Sequence, residues 1–532
     1  MCVLASLCVF YPSRHYGMVT DFINWIYKYE NGSFADVMHC FDYPGLHQFF
    51  HFVNFTIYKV ISTNTIAWYM ILSIMHGLNV FVIFKLGKEI LNYFGNEKLG
   101  TQWLAVVAFL FLIFPYNIET VIWKACLHYM ITLQCLLLGF FFLLKYWKSI
   151  NGHLFLFIIH SLFVVALFTL ELSFIFPFIY LSVIIGHRLI RSDSDFKGDV
   201  VNIFLPQVIL LCIYIFLSKM ALGNYIGHYG AEKHLVFDLN LIFSNGWKYF
   251  FKNFMFLHFY SFHIKAFLYE KLLTNIWVIY GLSIGVIALV VNAYKSKSQY
   301  IVFLTVNLIL FFLALAPILT LYFYWMHPFE NDRYGYFASI FFIVFVVSIL
   351  YKIPNDNFRK LFLILYLGIN IFYFINVIFN ANEAVEVQHS LLSNFEIPAT
   401  NDTIVILGMP DNYNGMYMFR DHKKNAHILR KSLSMMYDKD FDNTIIDVAQ
   451  FNQINLTDGL SVNVVRDRTL RVAFNQAGNW FWDAGVGLSN YETELFKVEV
   501  KSGYYDLIFK NQMGNYIFLY TDNNKWVTFE VD

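Results

Sequence analysis

The chain has 532 residues, 58% hydrophobic and 20% aromatic but only 14% charged, with no formal net charge and a mean hydropathy of +0.53. Runs such as Leu154–Gly186, broken by the single charge Glu171, are too long and too apolar for a soluble core and mark a polytopic membrane protein. The zero net charge hides a basic excess in residues 1–380 and an acidic excess in 381–532, and neither balance points to nucleic acid.

In chain order, Met1–Phe10 is apolar but too short to span, so we expect Met1 to lie inside the true first helix. A segment rich in titratable and aromatic groups follows, Tyr11–Thr65, with Asp21, Asp36, Asp42, His39, His47 and His51. Further spans are expected at Thr65–Gly87, Thr101–Pro115, Cys126–Tyr146, Leu154–Leu170, Leu172–Gly186, Val200–Leu217, Thr274–Ala293, Ile301–Trp325, Tyr334–Leu350 and Leu361–Ile378. That makes about eleven.

With the amino end inside, five short cytoplasmic loops hold Lys85, Lys88 and Lys98; Lys145 and Lys148; Arg188, Arg191 and Lys197; Lys295 and Lys297; and Lys352, Arg359 and Lys360. The short opposite loops hold almost only Lys124 and Arg333. The positive-inside rule therefore sends everything after Phe379 outside. Residues 12–64 and 218–273 become long outer loops, 1–380 a membrane domain and 381–396 a linker.

Residues 397–532 turn alternating and turn-rich. We expect a small α/β, mostly β domain, with a buried strand at Thr403–Leu407, a turn at Pro410–Gly415, a helix at Lys423–Tyr437, and strands at Thr444–Val448, Ser461–Val465, Leu470–Phe474, Leu495–Lys501, Tyr504–Phe509, Tyr516–Tyr520 and Trp526–Val531. None of the six cysteines lies there, so no disulfides hold it. It serves either as a docking module or as a direct substrate binder.

The candidate chemistry sits on the outer rim. Asp21 suits a general base for an acceptor hydroxyl, or a cap for a helix at Phe22–Tyr29. Glu119 in Phe114–Trp123 (FPYNIETVIW) opens a segment that also carries Lys124 and His128; a helix-dipole role explains it as well. Glu171 is an acid at membrane depth, either functional or a turn cap. Arg333, beside Asp332 and Tyr334, suits bidentate phosphate binding, the plain alternative being a pair with Asp332 or snorkelling. His47 and His51 are four apart without further metal support. No phosphate-cradling glycine loop or Ser-His-Asp signature occurs.

Taken together, these pieces resemble the GT-C superfamily of polytopic glycosyltransferases, in the branch related to protein O-mannosyltransferases and the lipid A aminoarabinose transferase. Five pieces match in order across residues 1–380: Asp21 after span one; Met75-His76-Gly77-Leu78-Asn79, similar to "HxLN"; FPYNIETVIW, similar to "HPxxxExVxW"; Leu170-Glu171-Leu172 with Pro177, similar to "sKExxxxxP"; and Asp332-Arg333-Tyr334-Gly335-Tyr336 with Ser339, similar to "ERYxYxPS". The run Pro410–Arg420 resembles the "PDNYxGxYxFR" of a β domain carried by certain bacterial members. The chain departs from the pattern at Phe22, where many members have a second acid, and at Leu170, where they have Lys.

The resemblance implies a transfer of sugar from a polyprenyl-phosphate donor to an extracytoplasmic glycan, lipid or protein, in a bacterial inner membrane. It implies Asp21 and Glu119 as catalytic groups, and Arg333, Tyr334 and Lys124 at the donor phosphate. Asp42, Glu171, His128 and Asp332 would support them. No metal ligand set is assigned, though a divalent cation would be compatible. The alternative class is a non-enzymatic flippase of lipid-linked sugars, or a scaffold for polysaccharide assembly.

Overall fold

The computed structural model describes the chain except for residues 17–18, 39–45, 95–99, 150–151, 224, 226–237, 321–330, 397–402, 421–426, 439–440, 442–444, 477, 482–487, 502, 511–515 and 531–532. Residue contacts divide the chain into two compact units. The first holds Met1–Tyr11, Gly32–Met326 and Asn331–Ile375; the second joins Pro12–Asn31 to Asn376–Asp532.

The first unit is a helix bundle. Among the described residues, eight helices are long and apolar enough to cross a membrane: Thr65–Phe94, Lys124–Lys148, Glu171–Ile190, Phe196–Leu222, Ile276–Ser296, Gln299–Ile318, Asp332–Tyr351 and Asp356–Ser393. Gly100–Ile113 and Pro115–Ile122 make a ninth if counted together, bent by 50°. Pro115 causes the bend, because its ring has no N–H to continue the ladder. The expected spans at the start of the chain and at 154–170 are instead shorter apolar helices, Cys2–Ser13 and His153–Leu167. The chain is thus a multi-pass membrane protein, mainly helical, with a β-rich carboxyl-terminal part.

The first helix crosses Thr65–Phe94 at Gly77, where a Cβ would stand 2.7 Å from the Val3 Cα. The stretch expected as the outer loop 218–273 contains a 17-residue helix, Leu239–Met255, and further helical turns. The stretch expected to link the two parts is mostly helix, since Asp356–Ser393 runs without a break through most of it.

The second unit contains two sheets. A mixed sheet runs in the order Lys525–Phe529, Tyr516–Asp522, Thr403–Tyr413, Gln450–Gln453, Asn479–Phe481, with Met416–Tyr417 and Ile445–Asp447 also paired to Thr403–Tyr413. The helix His427–Tyr437 carries the chain between the parallel strands Thr403–Tyr413 and Ile445–Asp447. An antiparallel sheet runs Leu460–Arg466, Thr469–Phe474, Tyr504–Phe509, Phe496–Lys501, Tyr491–Glu492. Both contribute to one core, with Val405, Leu407 and Phe518 from the first and Leu470, Val472, Phe496 and Leu507 from the second.

One expected turn is shorter than anticipated. The strand from Thr403 continues through Pro410 to Tyr413, and only Asn414-Gly415 turn, both with positive φ (47° and 85°). Asn-Gly accepts this geometry, which matches the twist of a tight hairpin and pairs Tyr413 with Met416. Pro410 fits because a bulge in the register leaves its missing N–H unneeded.

Candidate functional site

The membrane unit brings Glu119 and Arg333 together, 214 positions apart in sequence. After the bend at Pro115 the chain makes a 3-10 turn and a short helix, Ile118–Ile122, and the Asn117 amide caps the Phe111 carbonyl at 3.1 Å. Glu119 is fully buried by this turn. Opposite it, Asn331 adopts a left-handed conformation and Asp332–Gly335 form one 3-10 turn that starts the helix Tyr336–Tyr351.

Both Glu119 oxygens are engaged. Oε2 accepts the Arg333 backbone N–H at 2.6 Å and Oε1 accepts Nη1 at 2.5 Å. The guanidinium lies 4.9 Å from the Trp123 ring centroid and 4.6 Å from that of Tyr334, and Nη2 donates to the Tyr334 hydroxyl at 3.3 Å. Two aromatic faces and one carboxylate therefore fix the plane of the cation, whose side chain is still 17% exposed.

Asp332 does not pair with Arg333. A 3-10 turn sets successive side chains roughly 120° apart, so neighbours in this turn face different partners. Asp332 takes Lys252 Nζ at 2.5 Å and has His258 Nδ1 at 3.4 Å. The Lys252 ammonium also lies near the rings of Tyr116 (4.9 Å) and Tyr249 (4.8 Å), and its carbonyl accepts the Tyr116 hydroxyl at 2.8 Å.

One helical turn further on, the Tyr336 hydroxyl meets His76 Nδ1 at 2.8 Å and the Asn79 amide at 3.3 Å. Three of the sequence pieces that lie far apart in the chain are thus bonded to one another. His76 and Asn79 hold Tyr336, and Glu119 with Trp123 holds Arg333.

The other candidates are distributed differently. Lys124 is buried in the 3-10 turn that follows Trp123. His128 packs its ring 4.6 Å from Phe50 and lies within electrostatic range of Arg333, His47 and His51. Glu171 is buried at the start of the 3-10 turn between the helices His153–Leu167 and Phe176–Ile190, as a turn-marking acid would be. Asp42 lies outside the described residues. Asp21 belongs to the second unit, where it is half-buried as the first residue of the helix Asp21–Asn31.

That helix is held within its own unit. The Tyr16 hydroxyl donates to the Tyr417 carbonyl at 3.2 Å, and Lys431 Nζ donates to Asn24 at 3.0 Å and lies 4.3 Å from the Tyr27 ring centroid. The run Pro410–Arg420 supplies the other side of this contact. Arg420 gives three N–H bonds to Asp411, the shortest 2.8 Å, and stacks on Tyr417 at 4.3 Å.

Lys252, His258 and the role of Tyr336 were not singled out by sequence reasoning. A usable signal existed for the lysine: Ser244, Lys248 and Lys252 recur every fourth residue in an aromatic helix and form a buried polar stripe. Burial lowers the Lys248 ammonium from the usual lysine range and brings Lys265 down to about 8. Among the described residues no group of three or more His, Cys, Asp or Glu side chains is placed to hold a metal ion.

Comparison with known proteins gives little by sequence: no family model matches, and no curated protein is similar. Among solved structures, the archaeal oligosaccharyltransferase AglB from Archaeoglobus fulgidus, in complex with an inhibitory peptide and a dolichol-phosphate, is similar with a TM-score of 0.38 and 11% identity. The match covers 80% of this chain and 60% of that one, so the chain spans less than two thirds of that protein's length. What the fold and its buried charges define is a class: a polytopic membrane protein with an aromatic-clamped arginine at one end of its bundle and a β-rich carboxyl-terminal part.

Proposed function

We propose that the protein is a membrane glycosyltransferase of the GT-C type, moving a sugar from a polyprenyl-phosphate donor to an acceptor on the outer face of a bacterial inner membrane. The carrying observation is that pieces resembling the family's signatures are bonded to each other: Glu119 and Trp123 to Arg333, and His76 and Asn79 to Tyr336. In this reading residues after Phe379 lie outside the cytoplasm, and the β-rich part steadies the segment that bears Asp21.

The acceptor hydroxyl attacks the anomeric carbon and gives its proton to the Asp21 carboxylate. The bond from that carbon to the donor phosphate breaks with both electrons going to the phosphate oxygen. The leaving polyprenyl phosphate gains one negative charge, which the Arg333 guanidinium stabilises. Glu119 acts by position, holding the guanidinium plane, rather than by touching substrate. Lys124 and Tyr334 line the phosphate side, and Asp332 with Lys252 fixes the turn.

The bent pair Gly100–Ile113 and Pro115–Ile122 favours a second reading, a flippase, because transporters use broken helices at their sites. Purified protein in vesicles, given polyprenyl-phosphate sugar and acceptor extract, separates the two. Asp21→Asn should lower turnover by about 10² to 10⁴ with donor binding kept, whereas Arg333→Ala should weaken donor binding as well. Full transfer by Asp21→Asn removes Asp21 as the base. Lipid translocation without any transfer replaces the enzyme by the flippase.

A further inference from the structure

Helix Lys124–Lys148 carries Lys124 at one end, and some 20 residues on, roughly 30 Å away, its other end lines a cavity of about 740 Å³. The walls are apolar and come from six helices, among them Leu86, Trp103, Leu144, Val306, Phe341 and Val344. Its volume is in the range of a whole small ligand rather than a packing defect. Isolated polar atoms such as Trp103 Nε1, His187 Nδ1 and Ser348 Oγ could each hold a water, but the apolar walls between them offer it no partner, and left empty they forfeit dispersion contacts. Within a bilayer the available filler is an acyl chain.

The polar lining comprises His187, Asn307 and Ser348 on the walls and a cluster at one end. Ser298, Gln299, Tyr300 and Lys352 stand where helix Gln299–Leu315 begins and helix Tyr336–Tyr351 ends. Lys352 is exposed, with Nζ 4.8 Å from the Tyr300 ring centroid, and among the described residues it makes no ion pair. Nearby, Lys145 and Lys148 share the single carboxylate of Glu89, and Arg359 and Lys360 share that of Asp356; Lys352 is the one lysine or arginine among the residues that line the chamber. An apolar chamber with one uncompensated cation at its polar lining matches a single amphiphile, a chain inside and an anion outside.

We propose that this cavity is a binding site for an anionic diacyl phospholipid, with one acyl chain between the helices and the headgroup phosphate on Lys352. It lies at the far end of the bundle from Arg333 and is independent of the transferase reading.

The test uses the full-length purified protein in phosphatidylcholine nanodiscs doped with phosphatidylglycerol carrying a diazirine in one acyl chain. Photolabel should concentrate on peptides containing Leu86, Val306 and Val344, and unlabelled phosphatidylglycerol should displace it. Val306→Trp fills the chamber and should abolish this labelling. Lys352→Glu changes only an exposed side chain, so the fold is kept if Val306→Trp fails to fold. It should lower the preference for phosphatidylglycerol over phosphatidylcholine by roughly fivefold. Three outcomes overturn the proposal: equal labelling by a phosphatidylcholine probe, label spread evenly over the lipid-facing helices and unchanged by Lys352→Glu, or displacement by undecaprenyl phosphate but not by phosphatidylglycerol.

Discussion

Among the described residues, each of the two units holds one largely buried arginine–carboxylate pair, and the two pairs are built differently. In the β-rich unit Asp411 and Arg420 are nine residues apart, and Nε and Nη2 of the guanidinium donate to that one carboxylate. In the membrane unit Glu119 divides itself between the Arg333 backbone and side chain, while Trp123 and Tyr334 hold the guanidinium plane. The first arrangement satisfies a cation and closes a hairpin. The second orients a cation whose side chain stays partly exposed, and in the proposed function that pre-organisation would serve a leaving phosphate.

The largest expected effect follows from replacing each pair by neutral groups of similar size. A buried ion pair exchanged for well-packed uncharged residues is often neutral for stability. Asp411→Asn with Arg420→Met should therefore leave transfer activity in vesicles close to that of the natural protein. Glu119→Gln with Arg333→Met should leave the protein folded by circular dichroism yet lower transfer by about 10² to 10³. Equal losses from both double variants would erase the distinction.

Removing one partner sharpens the same contrast. Asp411→Ala removes the carboxylate that Nε and Nη2 of Arg420 share in the interior and should be destabilising by up to about 3 kcal/mol, read as early proteolysis of the carboxyl-terminal part at temperatures where the intact protein resists. A milder change, Tyr16→Phe, removes the bond to the Tyr417 carbonyl and should cost about 1 kcal/mol. If the β-rich part steadies the Asp21 segment, Tyr16→Phe should also lower turnover without changing donor affinity. An unchanged turnover would leave that part a stabilising module only.

These contacts explain what could be read from the chain and what could not. Apolar runs gave the helices, and alternation gave most strands, because both signals are local periodicities. The short strands Gln450–Gln453, Asn479–Phe481 and Tyr491–Glu492 escaped notice since two to four residues carry no period. Glu119 and Arg333 were recognisable one at a time, but their pairing was not. The nearest acid in sequence, Asp332, was the natural partner to suppose, and the 3-10 turn points it at Lys252 instead. Lys252 itself lay in a stretch read as an outer loop, so the helical spacing of Ser244, Lys248 and Lys252 went unused. In the β-rich unit the Asp411–Arg420 pair was nearly legible, because a hairpin turned by Asn414-Gly415 brings its flanks together.

The smallest expected effect concerns two lysines with opposite shifts. In the membrane unit Lys265 donates to the His258 carbonyl at 3.3 Å, and burial brings its ammonium down to about 8. In the β-rich unit the exposed Lys497 is raised above the usual lysine value, chiefly by its hydrogen bond to Glu499. For Lys265 the folded value lies below the unfolded one, so the unfolded chain binds the proton first as pH falls. Stability contributed by neutral Lys265 is present above about pH 10.5, declines between there and pH 8, and is absent at lower pH. Lys265→Met should therefore melt higher than the natural protein by a constant margin below pH 8, and the margin should shrink as pH rises toward 10.5. Lys497 has the opposite sign: its pairing contributes below the unfolded lysine value and is lost as pH rises through the raised one, by an amount that solvent screening keeps small. Melting curves of Lys265→Met and Lys497→Met against the natural protein over that range decide the matter. A Lys265→Met margin that stays constant across it would mean that Lys265 takes up its proton in the fold as it does in the unfolded chain, so that burial in the membrane unit does not disfavour its charge.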